Sequence, residues 1–318
     1  MRIVVLDGYM LNPGDNPWDE LAELGELTVY DRTPAELILP RAGDADVVLV
    51  NKVPLTAGTL AQLPRLRFVS VLATGYNMVD VAAARQRGVV VSNVPEYGTD
   101  SVAQHVFALL LELCHRVGAH DGAVIAGEWV DAPDFCFWKT PPIELAGLTI
   151  GIVGFGRIGR RVGEIAHAFG MAVMAADCSA GAEPGYQPFT WADIPTVFAT
   201  ADVVSLHCPL TDTNAHFVDR QLLSHMKASA ILINTARGQL VDERALADAL
   251  TAGQLAGAGL DVVEVEPMRP DNPLLHARNR IITPHMAWAS LAARRRLTAA
   301  TVANVKAFRS GHPMNVVN

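Results

Sequence analysis

The chain has 318 residues, enough for two domains of ordinary size; half of them are hydrophobic and 18% are charged, the balance of a well-buried globular chain. Its net charge is −8, and the one basic run, Arg294-Arg295-Arg296, would spread its side chains about 100° apart on a helix, so nucleic acid is not expected as a partner. Cys114, Cys136, Cys178 and Cys208 show no CxxC spacing, and neither a disulfide framework nor a metal site is expected. The apolar N-terminus is broken at Asp7, too short for a signal peptide, and no run approaches the ~20 apolar residues of a membrane span; a soluble, cytoplasmic chain with no membrane partner is expected.

In chain order, residues 3–6 read as a buried first strand. Residues 18–24 have helical spacing and stop at Gly25, and 27–29 read as a short strand. Thr33-Pro34 reads as an N-cap followed by proline at the first helical position. Apolar runs at 47–50 and 68–72 predict strands, 80–87 a helix stopped by Gly88, and 89–91 a further strand. Continuous apolar strands alternating with helices imply a parallel sheet covered on both faces. Residues 101–113 predict a long helix with an apolar face wider than one sheet needs, leaving a second subunit open as a packing partner. Residues 120–147 lack clear periodicity and carry Pro133, Pro141 and Pro142; so long a connection is functional or an interface arm.

Residues 148–177 are the most informative stretch. An apolar run to Val153 is followed by Gly154-Phe155-Gly156-Arg157-Ile158-Gly159, a helical stripe stopped by Gly170, and a second apolar run ending on Asp177. Strand, glycine turn, helix, strand and acid are the dinucleotide-binding fingerprint in its proper context. Gly154 permits the tight turn, Gly156 lets the backbone approach a pyrophosphate, and Gly159 lets the helix pack on the strand. The helix N-terminus offers unpaired N–H groups to the phosphates. Asp177 can accept both hydroxyls of an adenine ribose, and neither Cys178 nor Ser179 carries a charge to offset a 2′-phosphate; NAD(H) is read over NADP(H).

The α/β pattern then resumes, with predicted strands at 203–206, 230–233 and 259–262, the last with Asp261 near its end. Asp242 caps a helix to about residue 252, and Ile281 and Ile282 lead to Thr283-Pro284-His285. A final helix at 290–309 is too long for one more crossover and is expected to return to the first domain. The expected fold is α/β, with two doubly wound parallel-sheet domains. Residues 1–97 plus 288–318 would form a discontinuous flavodoxin-like substrate domain, and 98–287 an inserted Rossmann NAD-binding domain with a dimerisation helix and arm.

In open α/β sheets ligands bind beyond the carboxyl ends of the strands. Arg237, Glu266 and His285 each fall just after a predicted strand there. Taken singly, the histidine reads more often as structural and the glutamate as a solvated loop acid; their shared sheet edge favours function.

The segments VLATGYNMVDVAAARQRGVVVSNVP, TDSVAQHVFALLLE, GIVGFGRIGR, LHCPLT, ILINTARGQLVDERAL, GAGLDVVEVEP and NRIITPHMAWAS, in this order, resemble the D-isomer-specific 2-hydroxyacid dehydrogenases over the full length. PDFCFW and TPHMAWAS are most similar to the glycerate dehydrogenase / hydroxypyruvate reductase branch. The resemblance implies NADH-dependent reduction of a small 2-keto acid, hydroxypyruvate or glyoxylate first, to D-glycerate or glycolate, and the reverse. It places the catalytic roles on Arg237, which would hold the substrate carboxylate with a planar two-pronged donor, on His285 as the acid/base, and on Glu266, which would orient His285 and favour its protonated form. The backbone N–H groups of Ala73, Thr74 and Gly75 would assist Arg237. Cofactor contacts are implied at Ser101, Arg157, Ile158, Asp177, His207, Pro209 and Thr213, besides Gly154, Gly156 and Gly159. They are implied also at Thr235, Ala236, Arg237, Asp261 and His285, with Asp261 meeting the nicotinamide carboxamide.

Glu266 stands where formate dehydrogenases of this family carry glutamine, which disfavours formate; no basic residue flanks 73–77 to suit a phosphorylated substrate; and the regulatory domain of the longer phosphoglycerate dehydrogenases is not expected. Asp134-Phe135-Cys136-Phe137-Trp138 puts three aromatics in a connection without strand or helix period. The residues leave open whether these pack on their own domain or on a second copy. The resemblance implies a homodimer in which Trp138 reaches the partner's substrate pocket. A bulkier apolar 2-keto acid is the alternative substrate. An NAD(H)-sensing, corepressor-like binding protein is the alternative class, against which the lack of long disordered flanks and basic patches counts.

Overall fold

The computed structural model describes residues 1–318. The chain divides into two compact units, Met1–Gly98 with Trp288–Asn318, and Thr99–Ala287. In the first unit the strands are β1 (Arg2–Val5), β2 (Glu26–Val29), β3 (Val47–Val50), β4 (Phe68–Val71) and β5 (Val90–Ser92), joined by short helices α1 (Asp19–Ala22), α2 (Ile38–Ala42), α3 (Ala57–Ala61) and α4 (Val81–Gln86). They form one parallel sheet in the order β2-β1-β3-β4-β5. β3 and β4 are buried at every position, which is why they read as mainly apolar runs, broken only by Ser70, rather than alternating ones. The chain reverses direction across the sheet between β1 and β3. There Asp7 accepts hydrogen bonds from the N–H groups of Asn51 (2.7 Å), Lys52 (2.6 Å) and Val53 (3.0 Å), fixing the two loops to one another.

Thr33 does not cap a helix. Pro34 is itself extended (φ −65°, ψ 157°) ahead of a single 3₁₀ turn, and the Thr33 hydroxyl instead donates to the Leu6 carbonyl at 2.5 Å. A residue before proline is biased to extended backbone, and here the bias extends through the proline.

The second unit opens with α5 (Thr99–His115) and α6 (Val117–Ile125). It continues through β6 (Thr149–Val153), α7 (Arg157–Ala168), β7 (Ala172–Ala176), β8 (Phe189–Trp191), α8 (Ile194–Thr200), β9 (Val203–Leu206) and α9 (Arg220–Ser224). It closes with β10 (Ile231–Asn234), α10 (Glu243–Thr251), β11 (Gly257–Leu260) and β12 (Arg280–Ile282). The seven strands are parallel in the order β12-β11-β10-β9-β6-β7-β8, a doubly wound sheet whose switch point lies between β6 and β9. One apolar layer, including Leu232, Leu246 and Leu250, covers one face; the other, including Val106, Leu110, Val162 and Ala166, covers the opposite face.

The wide apolar face of α5 is taken up inside its own unit, because the helix lies against α7 and across β10, β11 and β12; Val106, Phe107, Leu109, Leu110 and Leu113 are all buried. The apolar surface left over is on α6 and the segment after it: Val124, Ile125, Trp129, Val130, Phe135 and Trp138 are exposed. α6 itself carries Gly118 and Gly122, which weaken its helical signature.

The last helix, α11 (Leu291–Arg309), is capped by the Ser290 hydroxyl and packs on β4 of the first unit. Leu297, Val302 and Val305 join Ile3, Val47, Leu49 and Phe68 in one layer, and the rings of Phe68 and Phe308 stack at 4.6 Å. Arg294 of this helix is buried and donates two hydrogen bonds to the Asp15 carboxylate, at 2.5 and 2.7 Å. Phe68→Ala should cost the first unit about 3–5 kcal/mol, since it removes a fully buried ring and its stacking partner. Urea denaturation of the whole chain checks this; a loss below ~1 kcal/mol would mean that the layer repacks.

Candidate active site at the carboxyl edge of the second sheet

The residues singled out in the sequence gather where β6, β7, β9, β10, β11 and β12 end. After β6, Gly154 has φ +93°, and a Cβ there would lie 2.4 Å from the backbone nitrogen of Cys208, which follows β9. Both the left-handed backbone and the closeness of the β9 turn require glycine. Gly156 caps α7, and a Cβ on it would meet nothing within 4 Å. Gly159 lies against the Gly154 carbonyl, so helix and strand touch. Ile158 is half-buried against the core, and Arg157 opens the helix. Asp177, exposed at the end of β7, accepts from the N–H groups of Phe155 and Cys178, both at 2.7 Å, which fixes its carboxylate against the glycine turn.

Beyond β9, the Ser205 hydroxyl and His207 Nε2 lie 2.8 Å apart, and burial pushes the His207 imidazole down to about 3, so it is neutral at any physiological pH. The Pro209 carbonyl accepts from the Asn214 amide at 2.8 Å, and Thr213 lies exposed in the same loop. After β10, the side chain of Asn234 clasps its own turn, donating to the Arg237 carbonyl at 2.8 Å and accepting from the Ala236 N–H at 3.0 Å. That turn leaves the Arg237 side chain exposed, with its guanidinium donating to the Ala236 carbonyl at 2.7 Å. The Thr235 hydroxyl is buried without a hydrogen-bond partner.

Glu266 and His285 form a direct pair, with Nδ1 and Oε2 2.6 Å apart. The pairing engages Nδ1 and leaves Nε2 as the nitrogen turned away from the carboxylate. Glu266 Oε1 accepts from the Val263 N–H at 3.2 Å. Two residues carry this loop that nothing in the sequence pattern marked. Buried Glu243, in the first turn of α10, accepts from the Glu264 N–H and from the Asn272 amide, both at 2.7 Å. Gly238 lies so close to Val263 that a Cβ would meet its carbonyl carbon at 1.9 Å. The Arg237 turn and the Glu266 loop are therefore in direct backbone contact.

His285 has φ +52°, a left-handed conformation costly for a non-glycine residue. Its N–H donates to the Asp261 carbonyl at 2.8 Å. Asp261 is 1% exposed, and its two carboxylate oxygens accept from the Met286 N–H (2.9 Å), the Ala287 N–H (2.8 Å) and the Thr283 hydroxyl (2.6 Å). Burial would raise its pKa, but the hydrogen bonds from His105, Thr283, Ala287 and Met286 outweigh it and hold the carboxyl below its ordinary value. The Ser101 hydroxyl donates to the Ala287 carbonyl at 2.6 Å.

Ala73, Thr74 and Gly75 belong to the first unit, in the turn after β4, where the Thr74 hydroxyl donates to the Val94 carbonyl at 2.8 Å and Ala73 accepts from the Val94 N–H at 3.0 Å. Trp138 is 60% exposed on the segment after α6.

The donor set fits a dinucleotide. The space beside Gly156 is open at the α7 N-terminus, Asp177 presents a fixed, exposed acid, and Thr235, whose buried hydroxyl has no partner, directly follows β10.

The comparisons with known proteins agree with that class of fold. Residues 107–287 match the family described as D-isomer specific 2-hydroxyacid dehydrogenase, NAD binding domain. A hydroxypyruvate reductase of Blautia hydrogenotrophica is 48% identical over the whole of both chains, and a glycerate dehydrogenase of Methylorubrum extorquens is 41% identical over 90% of this chain and 89% of its own. Among solved structures, an NADPH-dependent glyoxylate/hydroxypyruvate reductase of Sinorhizobium meliloti in complex with citrate superposes with a TM-score of 0.85 at 31% identity, over 99% of this chain and 97% of that one. The chain belongs to the D-isomer specific 2-hydroxyacid dehydrogenase family. It is an oxidoreductase with an NAD-binding domain, and its chemistry is reduction of a 2-keto acid.

The two glycines at the turn separate fold from ligand. Gly154→Ala should destabilise the chain by more than ~2 kcal/mol, because backbone must move. Gly156→Ala should melt within ~0.5 kcal/mol of the parent yet weaken NADH binding at least ~10-fold. Thermal melts and fluorescence titration measure both; parental NADH affinity in Gly156→Ala would show that the open space is not where the dinucleotide lies.

Proposed function

We propose that the chain is an NADH-dependent reductase of a small 2-keto acid, hydroxypyruvate or glyoxylate, giving D-glycerate or glycolate. The observation that carries the reading is the 2.6 Å pair of Glu266 and His285 next to the Arg237 turn, on the sheet edge that also bears the glycine turn. Arg237 binds the substrate carboxylate through its planar fork, and the N–H groups of Ala73, Thr74 and Gly75 are proposed as further donors to it. His285 gives the Nε2 proton to the carbonyl oxygen as C=O becomes CH–OH. Glu266 holds Nδ1, so the ring keeps one orientation, and stabilises the charged imidazolium before it gives up the proton. The glycine turn, Ser101, Arg157, Ile158, Asp177, His207, Pro209 and Thr213 are proposed to hold NADH, with Thr235, Ala236, Arg237, Asp261 and His285 facing its nicotinamide half. When bound it supplies the hydride that completes the two-electron reduction.

Two residues support NADH over NADPH. The Asp177 carboxylate is fixed by two backbone N–H groups, and the neighbouring Cys178 is uncharged, so a 2′-phosphate would meet an unrelieved negative charge. The Sinorhizobium meliloti relative is named as NADPH-dependent, so the family alone does not decide cofactor choice. Hydroxypyruvate and glyoxylate are favoured by the names of the Blautia hydrogenotrophica and Sinorhizobium meliloti relatives and by the lack of basic residues at 73–77.

The homodimer belongs to the same proposal. Phe135 is 89% and Trp138 60% exposed within one chain, although the segment is tied down: the Trp129 indole N–H donates to the Phe135 carbonyl at 3.0 Å, and the Lys139 N–H donates to His120 Nε2 at 3.0 Å. Ordered, exposed aromatics continuous with the apolar face of α6 suit a second copy of the chain.

The kcat/KM with NADH should exceed that with NADPH by at least ~10-fold. His285→Ala should lower kcat by roughly 10²–10⁴ with NADH binding little changed, Arg237→Ala should raise KM for the keto acid as well as reduce kcat, and Glu266→Gln should retain only part of the turnover. Steady-state assays of NADH oxidation with a panel of 2-keto acids measure all of these, and near-normal turnover in His285→Ala would remove the assignment. Trp138→Ala should lower efficiency with hydroxypyruvate more than with a longer 2-keto acid, moving the ratio by about 10-fold. A fully active monomer in light scattering at assay concentration would overturn the dimer.

A further inference from the structure

We propose that His105 and Thr283 are positioning residues for His285: they act through Asp261 to hold the left-handed turn on which the imidazole stands. The inference rests on the proposed role of His285 as the acid/base and deepens it. Three consecutive N–H groups, those of His285, Met286 and Ala287, all donate to Asp261, the first to its carbonyl and the other two to its carboxylate. Successive amides converging in this way form an anion-binding nest, and here the anion is a side chain of the protein. The nest keeps a histidine at φ +52°, a conformation that persists only where its surroundings over-determine it.

Asp261 is in turn held from α5. The Thr283 hydroxyl donates to Asp261 Oδ1 at 2.6 Å, so its hydrogen is committed to the carboxylate. His105 Nε2 lies 3.0 Å from that hydroxyl oxygen and 3.5 Å from Asp261 Oδ1. An oxygen whose hydrogen is committed can only accept, so His105 carries its hydrogen on Nε2 and donates. The order is His105 to Thr283 to Asp261 to the amides of 286 and 287. Ser101, one helical turn before His105, grips the other end of the same segment by donating to the Ala287 carbonyl at 2.6 Å. One face of α5 thus fixes both ends of the turn. His105 contacts Thr283 and Asp261, and through them it sets where the turn places the ring.

His105→Leu and Thr283→Val should each lower kcat about 10- to 100-fold, the scale of a small misplacement of a catalytic group. KM for hydroxypyruvate and Kd for NADH should stay within about 2-fold, because Arg237 and the glycine turn are untouched. His105→Gln restores a donor near Nε2 and Thr283→Ser restores the hydroxyl; both should recover to within about 3-fold of the parent. In a His285→Ala background, His105→Leu should cause no further fall in kcat, because it acts through the missing ring. The proposal is overturned by parental kcat in both His105→Leu and Thr283→Val, by a loss that glutamine and serine fail to rescue, or by a full additional loss in the double variant. If His105→Leu does not fold, Thr283→Val and Thr283→Ser decide by the same criteria. Near-normal turnover in His285→Ala would instead remove the acid/base reading itself, and positioning of that acid with it. An inactive His285→Ala beside a fully active His105→Leu would remove only the present inference.

Discussion

A parallel sheet covered by helices on both faces has no free face for chemistry; a ligand can reach it only at the ends of its strands. In the second unit that constraint governs everything else. Seven strands run the same way, so the loops at their carboxyl ends lie side by side, and residues far apart in sequence, from Gly154 to His285, share one edge. The same geometry sets the chemistry available there. Helix α7 points its amino end to that edge, whereas the side chains of Arg237, Glu266 and His285 stand on turns rather than on strands. Each turn therefore needs its own fastening: Asn234 for the first, Glu243 and Val263 for the second, Asp261 for the third.

The fold class was legible because buried strands have a simple signature. β3, β6, β9 and β10 are almost wholly buried, and each shows as a mainly apolar run rather than an alternating one. Three of the capped helices, α4, α10 and α11, were equally plain: Asp80, Asp242 and Ser290 each accept from an N–H three residues on. The losses have the opposite cause. β8 is three residues long with one of them exposed, and α8 is seven residues long, so neither offers enough periods to count. α6 interrupts its pattern with two glycines and keeps apolar residues exposed, so its helicity and its loose apolar surface both escaped the periodicity argument.

For the site, the sequence shows which side chains end up at the sheet edge, because a strand, a turn and a functional residue are contiguous. It does not show what holds them. His105 stands in an apolar helix nearly two hundred residues before Thr283, and its i, i+4 relation to Ser101 is the one local hint that both face the same way. The resemblance implies that Asp261 meets the nicotinamide; what no local pattern shows is that its carboxylate also accepts from Thr283, Met286 and Ala287. Glu243 looks like an ordinary first-turn acid of a helix, yet it serves a loop beyond the next strand. Partners of this kind are set by tertiary contact, and no local pattern encodes them.

The discontinuity of the first unit bears on how the chain is made. During synthesis its first 98 residues emerge long before α11, so Ile3, Val47, Leu49 and Phe68 lack the helix that covers them until residue 309 has left the ribosome. The second unit, by contrast, is a single contiguous stretch and can close its core first. The nascent first unit then carries an incompletely covered apolar face, with Leu11, Leu21 and Leu24 in place but not Leu297, Val302 and Val305, and surface of that kind is prone to aggregation.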